Sequence, residues 1–338
     1  MQLNFYDRFL ELKPPESSHT SSSYSVIELP DIPDIRIGKS RDLKPAILIN
    51  LSLQSELSTP VPPIRLRHIE IYSNSLCRIH LQNGATSEER LALVVCRSDD
   101  IQLQSYFLTV LPMIFATHFE AQANDNINSA LSSVAELFKL IEEPPHKSVQ
   151  AIWSELLLIE RSSDPSRMLS AWRNGVHDKY DFSDGMNRLE VKSSSRGVRI
   201  HTFSLDQLMA PPDVTVVIAS LLVRELAGGS SIRNLVNGIR KKCSDPTLLL
   251  KLETVITRTL GASTPQAIEV TFDLPFALDE LRYYNATIIP AVNPPIPGGV
   301  SNVRFDSDLA FCSVLVPSAL SNDENCLTSL LTKPNNII

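Results

Sequence analysis

Cysteine is scarce in this chain of 338 residues. The five cysteines include no CxxC pair and show no spacing typical of metal ligands: Cys77, Cys96, Cys243, Cys312 and Cys326. An odd number of scattered cysteines is typical of reduced, buried thiols in a protein of the cytoplasm. We therefore expect a cytoplasmic location and no site built on cysteine.

Long apolar runs are also lacking. A membrane helix needs about 18 consecutive apolar residues, whereas the longest run here, Val214–Val223, has only the length of a strand. The opening residues show no charged segment followed by an apolar one, so we expect no signal peptide. With 43% hydrophobic residues and a mean hydropathy near zero, the sequence indicates a globular protein with a buried core and no membrane partner.

Two common catalytic motifs are missing. Gly228–Ser231 lacks the lysine of a phosphate-binding GxxxxGK[ST] loop, and the seven histidines include no HExxH motif. These absences argue against ATP hydrolysis by a P-loop and against zinc chemistry. The net charge of −7 argues against a uniformly basic chain, but residues 151–258 hold 15 Lys and Arg against 12 Asp and Glu. A local patch in this segment suffices to contact a phosphate backbone.

Hydrophobic periodicity divides the chain into three parts. Residues 1–145 combine a Ser/Pro-rich arm, short β-like runs and a closing helix over Phe107–Leu140, which predicts a mostly β N-terminal domain. Residues 146–262 predict a helix, three strands, a buried strand and two helices: Val149–Arg161, Lys179–Ser183, Arg188–Ser193, Gly197–Ser204, Val214–Val223, Ser231–Lys242 and Pro246–Leu260. Residues 263–338 return to β-like runs and proline-rich loops, and we expect them to pack on the middle part as an extension.

The acids of the middle part lie where strands and a turn bring them together. Glu190 and Lys192 are two residues apart and share one face of a strand. The Asp184-Gly185 turn is a strong hairpin signal and folds Asp181 back beside Glu190. Phosphodiester cleavage needs a divalent metal and a nucleophilic water. Asp181 and Glu190 are thus candidate Mg²⁺ ligands, and Lys192 is the candidate that orients or helps to deprotonate the water and offsets developing negative charge.

Three acid-x-Lys triplets occur in the chain: Glu11-Leu12-Lys13, Asp42-Leu43-Lys44 and Glu190-Val191-Lys192. The second also fits the literal PD-(D/E)xK pattern, because Pro33-Asp34 precedes it. It ends at Pro45, which cannot donate a ladder hydrogen bond, and no helix precedes it. Only the third triplet combines an alternating strand, a hairpin turn and an upstream helix.

The segment from Val149 to Asp308 resembles a bacterial family of PD-(D/E)XK proteins encoded in phage-defence clusters. The resembling pieces are IWSELLLIE at Ile152–Glu160, Trp172, YDF at Tyr180–Phe182, LEVKSS at Leu189–Ser194, SLDQL at Ser204–Leu208 and the tail Tyr283–Leu309. The resemblance implies Glu155 as a third acid of the metal site and Gln207 as a polar residue near the bound phosphate. Ser154 stands where the family's helix motif leads us to expect glycine.

These observations together predict an α/β (α+β) protein whose restriction-endonuclease-like core has a central mixed sheet flanked by helices. The predicted function is a Mg²⁺-dependent endodeoxyribonuclease, with Mn²⁺ as a substitute, that cuts DNA for a prokaryotic anti-phage or restriction system. Expected partners are DNA, proteins that supply an ATPase, helicase or modification function, and a second copy of the chain in a homodimer. Cleavage of RNA or single-stranded DNA is left open.

Several alternatives also remain open from the residues alone. Asp178 or Asp184 could replace Asp181 as the ligand, and Glu155 could be a solvated acid on a helix surface. Glu190 and Lys192 could form a surface ion pair, and capping of a helix explains Gln207 equally well. The rival function is a catalytically inactive nucleic-acid-binding or scaffold subunit that retains the nuclease fold.

Overall fold

The computed structural model describes residues 5–15, 22–29, 32–51, 62–120, 126–175, 177–292, 295–316 and 327–331. The chain forms two compact units, Met1–Pro144 and Pro145–Ile338. Both units combine helices and strands, so the predicted mixed α/β class is confirmed. Within the described ranges, no helix is both long and apolar enough to cross a membrane.

The first unit is built on a six-stranded sheet. Its strands are β1 (Ser23–Glu28), β2 (Ile35–Ser40), β3 (Pro45–Asn50), β4 (Ile64–Arg65), β5 (Ile69–Leu81) and β6 (Thr86–Cys96). The order is β1-β2-β3-β6-β5-β4, and β1 also pairs in parallel with β5. Five of the strands therefore close into a ring around buried aliphatic side chains, among them Val26, Leu48 and Ile79.

In the described part of this unit, three helices accompany the sheet: α1 (Phe5–Glu11), α2 (Ile101–Glu120) and α3 (Asn126–Leu140). The prediction of one helix over Phe107–Leu140 was wrong. The rings of Phe107 and Phe138 lie 6.0 Å apart, whereas a continuous helix would separate these two residues by about 46 Å. The chain therefore reverses between α2 and α3, and residues 121–125 lie outside the described part.

The second unit contains the predicted candidate site. Its helices are α4 (Val149–Arg161), α5 (Pro165–Ala171), α6 (Leu205–Leu208), α7 (Ile232–Lys242), α8 (Pro246–Leu260), α9 (Thr264–Ala267) and α10 (Leu274–Asp279). Its strands are β7 (Phe182–Asp184), β8 (Asn187–Ser194), β9 (Ile200–Ser204), β10 (Thr215–Leu222), β11 (Glu225–Ser231), β12 (Thr271–Phe272), β13 (Arg282–Asn285) and β14 (Arg304–Asp308). Four of these strands form a mixed sheet with the order β13-β10-β8-β7.

This sheet places β8 between the hairpin partner β7 and the buried strand β10. β10 runs parallel to β8 and antiparallel to β13, and its side chains from Val216 to Leu222 are buried, as the apolar run predicted. β7 and β8 are antiparallel around the Asp184-Gly185 turn, where Gly185 has a φ of 53° that favours glycine. The predicted hairpin is therefore confirmed. Helix α4 packs on β8 from one side.

Two predicted strands differ from the structure. The strand expected over Lys179–Ser183 is shorter and begins at Phe182, so Asp181 immediately precedes β7. The strand expected over Gly197–Ser204 is present as β9, which begins at Ile200 and pairs with β14 in a separate two-stranded sheet. Helix α8 spans the predicted residues, and α7 begins at Ile232 with Ser231 as its N-cap.

Candidate active site

Strand β8 presents an acid and a base on one face. Glu190 and Lys192 share this face, and Lys192 Nζ lies 2.8 Å from Glu190 Oε1. The Glu190 residue is only 5% exposed, so this is not a surface ion pair. Behind the strand Leu189 is fully buried, whereas Val191 is only partly buried and also lines the cavity.

Gln207 joins both side chains from helix α6. Its Nε2 donates to Glu190 Oε1 at 2.8 Å, and Lys192 Nζ donates to its Oε1 at 3.4 Å. The same Oε1 accepts a hydrogen bond from the backbone N–H of Ser204 at 3.1 Å, which caps α6. The capping role and the site role that the sequence left as alternatives are therefore combined in one amide.

The register of the hairpin brings Asp181 opposite Glu190. Phe182 pairs with Leu189, so the next antiparallel position sets Asp181 beside Glu190. The Asp181 side chain takes the place of a backbone partner, because its Oδ2 accepts the N–H of Val191 at 2.9 Å. The residue is 2% exposed.

The two alternative acids have other partners. Asp178 lines the same cavity, but its Oδ2 accepts the backbone N–H groups of Asn174 and Gly175 at 2.9 and 3.0 Å. Asp184 forms an ion pair with Arg167 at 2.7 Å. Both carboxylates therefore serve the local loop and turn, which favours Asp181 as the acid of the site.

Glu155 projects from the middle of α4 and is 1% exposed, so it is not a solvated surface acid. Its Oε2 accepts hydrogen bonds from Trp172 Nε1 at 2.7 Å and from Arg173 Nε at 3.1 Å. Its Oε1 accepts one from Lys147 Nζ at 2.9 Å. Every oxygen of this carboxylate is therefore in contact with a donor.

Sequence reasoning missed two cations of the site, Lys147 and Arg173. Lys147 Nζ also donates to Asp181 Oδ1 at 2.6 Å, and Arg173 Nε lies 3.6 Å from the same oxygen. Thr259 at the end of α8 holds both cations in place: its hydroxyl accepts from the Arg173 guanidinium at 2.9 Å, and its carbonyl accepts from the Lys147 N–H at 3.4 Å. No local pattern marks either cation, because contacts over 8, 18 or 34 residues do not follow the short spacings of a helix or a strand.

Burial and the neighbouring charge of Asp181 shift the pKa values of the two glutamates. Burial, with the charge of Asp181, raises the pKa of Glu190 to about 7. The same two causes raise the pKa of Glu155. Burial works to lower the pKa of Lys147, but the charges of Glu155 and Asp181 outweigh it and raise that pKa. The site therefore favours the charged form of Lys147 and disfavours the ionised form of Glu190.

These side chains border a polar cavity of about 1200 Å³. Its lining includes the two hairpin acids and the three polar side chains that contact them: Asp181, Glu190, Lys147, Lys192 and Gln207. Glu155 lies behind Lys147 and does not line the cavity. Among the described residues, no group of three or more His, Cys, Asp and Glu side chains is arranged to hold a metal ion. The two carboxylates at the cavity still offer the hard oxygen ligands that Mg²⁺ prefers.

The architecture and the site together define a class of protein. An acid before a hairpin, an acid-x-lysine strand and a preceding helical acid, arranged on a mixed sheet, form the PD-(D/E)XK pattern. Residues 7–310 match the family described as "Putative PD-(D/E)XK family member, (DUF4420)". The chain belongs to this family, whose wider superfamily consists generally of nucleases. Comparison with curated proteins and with solved structures gave no match.

Proposed function

We propose that this protein is a metal-dependent endodeoxyribonuclease, the DNA-cleaving subunit of a prokaryotic anti-phage or restriction system. One observation carries the proposal: the carboxylates of Asp181 and Glu190 and the ammonium of Lys192 border the same polar cavity. Family membership supports the reaction class. Partner proteins that supply ATP-driven or modification functions, and a homodimer that cuts both strands, belong to the proposal as well.

Asp181 and Glu190 would hold the cation, since both present carboxylate oxygens to the cavity. Burial and the charge of Asp181 raise the pKa of Glu190 although Lys192 Nζ lies 2.8 Å away, and a bound cation would favour its ionised form. When bound, Mg²⁺ or Mn²⁺ would polarise a phosphate oxygen and favour the ionised form of a nearby water.

Gln207 and Phe203 position the Lys192 side chain. Gln207 keeps the Lys192 ammonium and the Glu190 carboxylate on the same side of the cavity. Lys192 Nζ lies 5.1 Å from the centre of the Phe203 ring, which limits its sideways movement. From this place its charge would stabilise the negative charge that develops on the oxygens of the reacting phosphate.

The cavity also has cations for a phosphate backbone. Lys179, Arg196 and Arg304 line it, and no side chain among the described residues forms an ion pair with any of the three. Cations that have no ion-pair partner at a polar cavity favour a polyanionic ligand, because each would replace a counterion on the nucleic acid.

A cleavage assay tests the proposal. The purified full chain is incubated with plasmid DNA, linear DNA, single-stranded DNA and RNA, with Mn²⁺ or with EDTA. We expect nicking or linearisation of DNA with Mn²⁺ and none with EDTA. Cleavage that persists in EDTA would contradict the metal dependence, and cleavage of RNA alone would contradict the choice of DNA.

A second candidate function is supported by a specific observation. Lys147 and Arg173 form ion pairs with Glu155 and Asp181, and acids neutralised by the chain's own cations fit a nucleic-acid-binding subunit that needs no metal. Binding of Mn²⁺ by the isolated chain separates the two candidates. The nuclease binds it through Glu190 and Asp181, whereas the inactive subunit does not.

The affinity for Mn²⁺ is expected to rise with pH. A carboxylate must lose its proton before it binds a cation, and the pKa of Glu190 is raised to about 7. Between pH 8 and pH 6 the ionised fraction of such a group falls about tenfold, and the affinity should fall with it. Calorimetric titration at pH 6, 7 and 8 measures this change. Equal affinities at pH 6 and pH 8 would show that Glu190 is not a ligand.

A further inference from the structure

Lys147 occupies the position next to the acids where a bound cation would be expected. Its Nζ lies 2.6 Å from Asp181 Oδ1 and 2.9 Å from Glu155 Oε1, so one ammonium bridges two carboxylates. The other oxygen of Asp181 already accepts the Val191 N–H. Oδ1 is therefore the oxygen that remains for a metal ion, and Lys147 is in contact with it.

The second cation beside these acids differs from Lys147 in mobility. The Arg173 side chain is 1% exposed and is fixed by the Thr259 hydroxyl as well as by Glu155. The Lys147 side chain is 29% exposed and lines the cavity. Both side chains are flexible by nature, but only that of Lys147 has open space beside it.

We propose that Lys147 is an internal counter-ion that competes with the divalent cation for Asp181 and leaves this carboxylate when the cation binds. The inference rests on the metal site of the proposed function. Its physical basis is charge repulsion: a divalent ion coordinates a carboxylate oxygen at about 2.0–2.1 Å, which an ammonium within hydrogen-bond distance of the same oxygen opposes. Without Lys147 or a divalent cation, Arg173 alone would face two buried carboxylates, so we expect one cation to replace the other.

The released ammonium would not leave the site. The Lys147 side chain lines the cavity, so its ammonium group would move into the cavity, which Lys179 and Arg304 also line. A phosphate of the nucleic acid would then be its next partner. Lys147 would thus neutralise the acids in the metal-free protein and contact the substrate in the metal-bound protein.

The variant Lys147→Met tests the competition, because methionine keeps much of the stem and removes the charge. We expect Lys147→Met to bind Mn²⁺ about tenfold more tightly than the wild type in calorimetric titration, the scale on which neighbouring groups alter metal affinity. The matched control is Lys242→Met, which removes a lysine from the carboxylate of Glu160 outside the cavity. It should leave the affinity unchanged. An affinity of Lys147→Met equal to or weaker than that of the wild type would overturn the inference.

A measurement on the wild type covers the case in which Lys147→Met does not fold. Lysine side-chain ¹⁵N NMR follows the Nζ signal of Lys147, assigned with Lys147→Arg, during a titration with Mg²⁺. We expect this signal to shift as the hydrogen bonds to Asp181 and Glu155 break, while the signal of Lys242 stays in place. An unchanged Lys147 signal at saturating Mg²⁺ would overturn the inference.

The results also separate this inference from the proposed function. Wild type that binds Mn²⁺, with no gain for Lys147→Met, refutes the competition alone and leaves the nuclease standing. If neither protein binds Mn²⁺, both the metal-dependent nuclease and the competition are refuted. Binding by Lys147→Met alone supports the competition directly, because removal of the ammonium then exposes the site.

Discussion

The variant Glu190→Gln is expected to lose DNA cleavage while it keeps its fold. The glutamine amide keeps only one of the two oxygens that could bind the proposed cation. It also removes the negative charge of the Glu190 side chain. Charge stabilisation by a catalytic metal is worth several kcal/mol, so a rate loss of about 10³-fold is expected. Gel assays of plasmid nicking with Mn²⁺ measure this loss, and calorimetry should show weaker Mn²⁺ binding in parallel.

The stability of Glu190→Gln distinguishes a site residue from a structural one. The folded pKa of Glu190 lies above its unfolded value, at about 7. Ionisation therefore costs stability as the pH rises through about 7, and the neutral glutamine avoids that cost. At pH 8 the melting temperature of the variant should not fall below that of the wild type. The control is Glu253→Gln, which removes a buried carboxylate paired with Arg240 and should retain cleavage. Wild-type cleavage by Glu190→Gln would refute the site.

Of the variants proposed here, Arg173→Met is expected to lower the free energy of unfolding the most. The Arg173 and Glu155 side chains are both 1% exposed, and removal of one partner leaves a buried charge uncompensated. Such losses amount to about 3–5 kcal/mol. Urea denaturation followed by circular dichroism measures the change in the free energy of unfolding.

The double variant Arg173→Met/Glu155→Gln identifies the cause of that loss. Glutamine carries no charge, so the double variant should regain part of the stability that Arg173→Met loses. The matched control is Arg282→Met, whose guanidinium contacts the backbone carbonyls of Asp279 and Leu281. It should cost less than about 1 kcal/mol. Equal losses for Arg173→Met and Arg282→Met would show that the buried ion pair does not stabilise the unit.

The sequence was sufficient to predict those parts of the candidate site whose positions depend on local rules. Strand periodicity places Glu190 and Lys192 on one face, and the Asp184-Gly185 turn sets the register of Asp181. The competing triplet was rejected partly on wrong grounds, because helix α1 does precede it and β2 and β3 form a hairpin around it. Asp42 lies in a turn before β3, and Lys44 forms an ion pair with Asp99 rather than with a neighbouring acid.

Features that depend on tertiary contacts were not accessible from the sequence. The hydroxyl of Thr202 on β9 donates a hydrogen bond to Asp306 on β14, 104 residues away. No local sequence pattern predicts such a strand pairing. Arg173 reaches Thr259 across 86 residues for the same reason. The reversal between α2 and α3 was missed because residues 121–125 contain neither proline nor glycine, the residues that usually mark a helix end.

The hydrogen bond from the Val191 N–H to Asp181 makes this backbone amide a built-in reporter of the site. The β7–β8 ladder ends at the pair Phe182–Leu189, so the donor two residues along β8 senses a side-chain carboxylate instead of a peptide carbonyl. Its proton resonance depends on what else the Asp181 carboxylate contacts. One amide signal in an unmodified chain therefore reads out whether Asp181 is paired with an ammonium or bound to a cation.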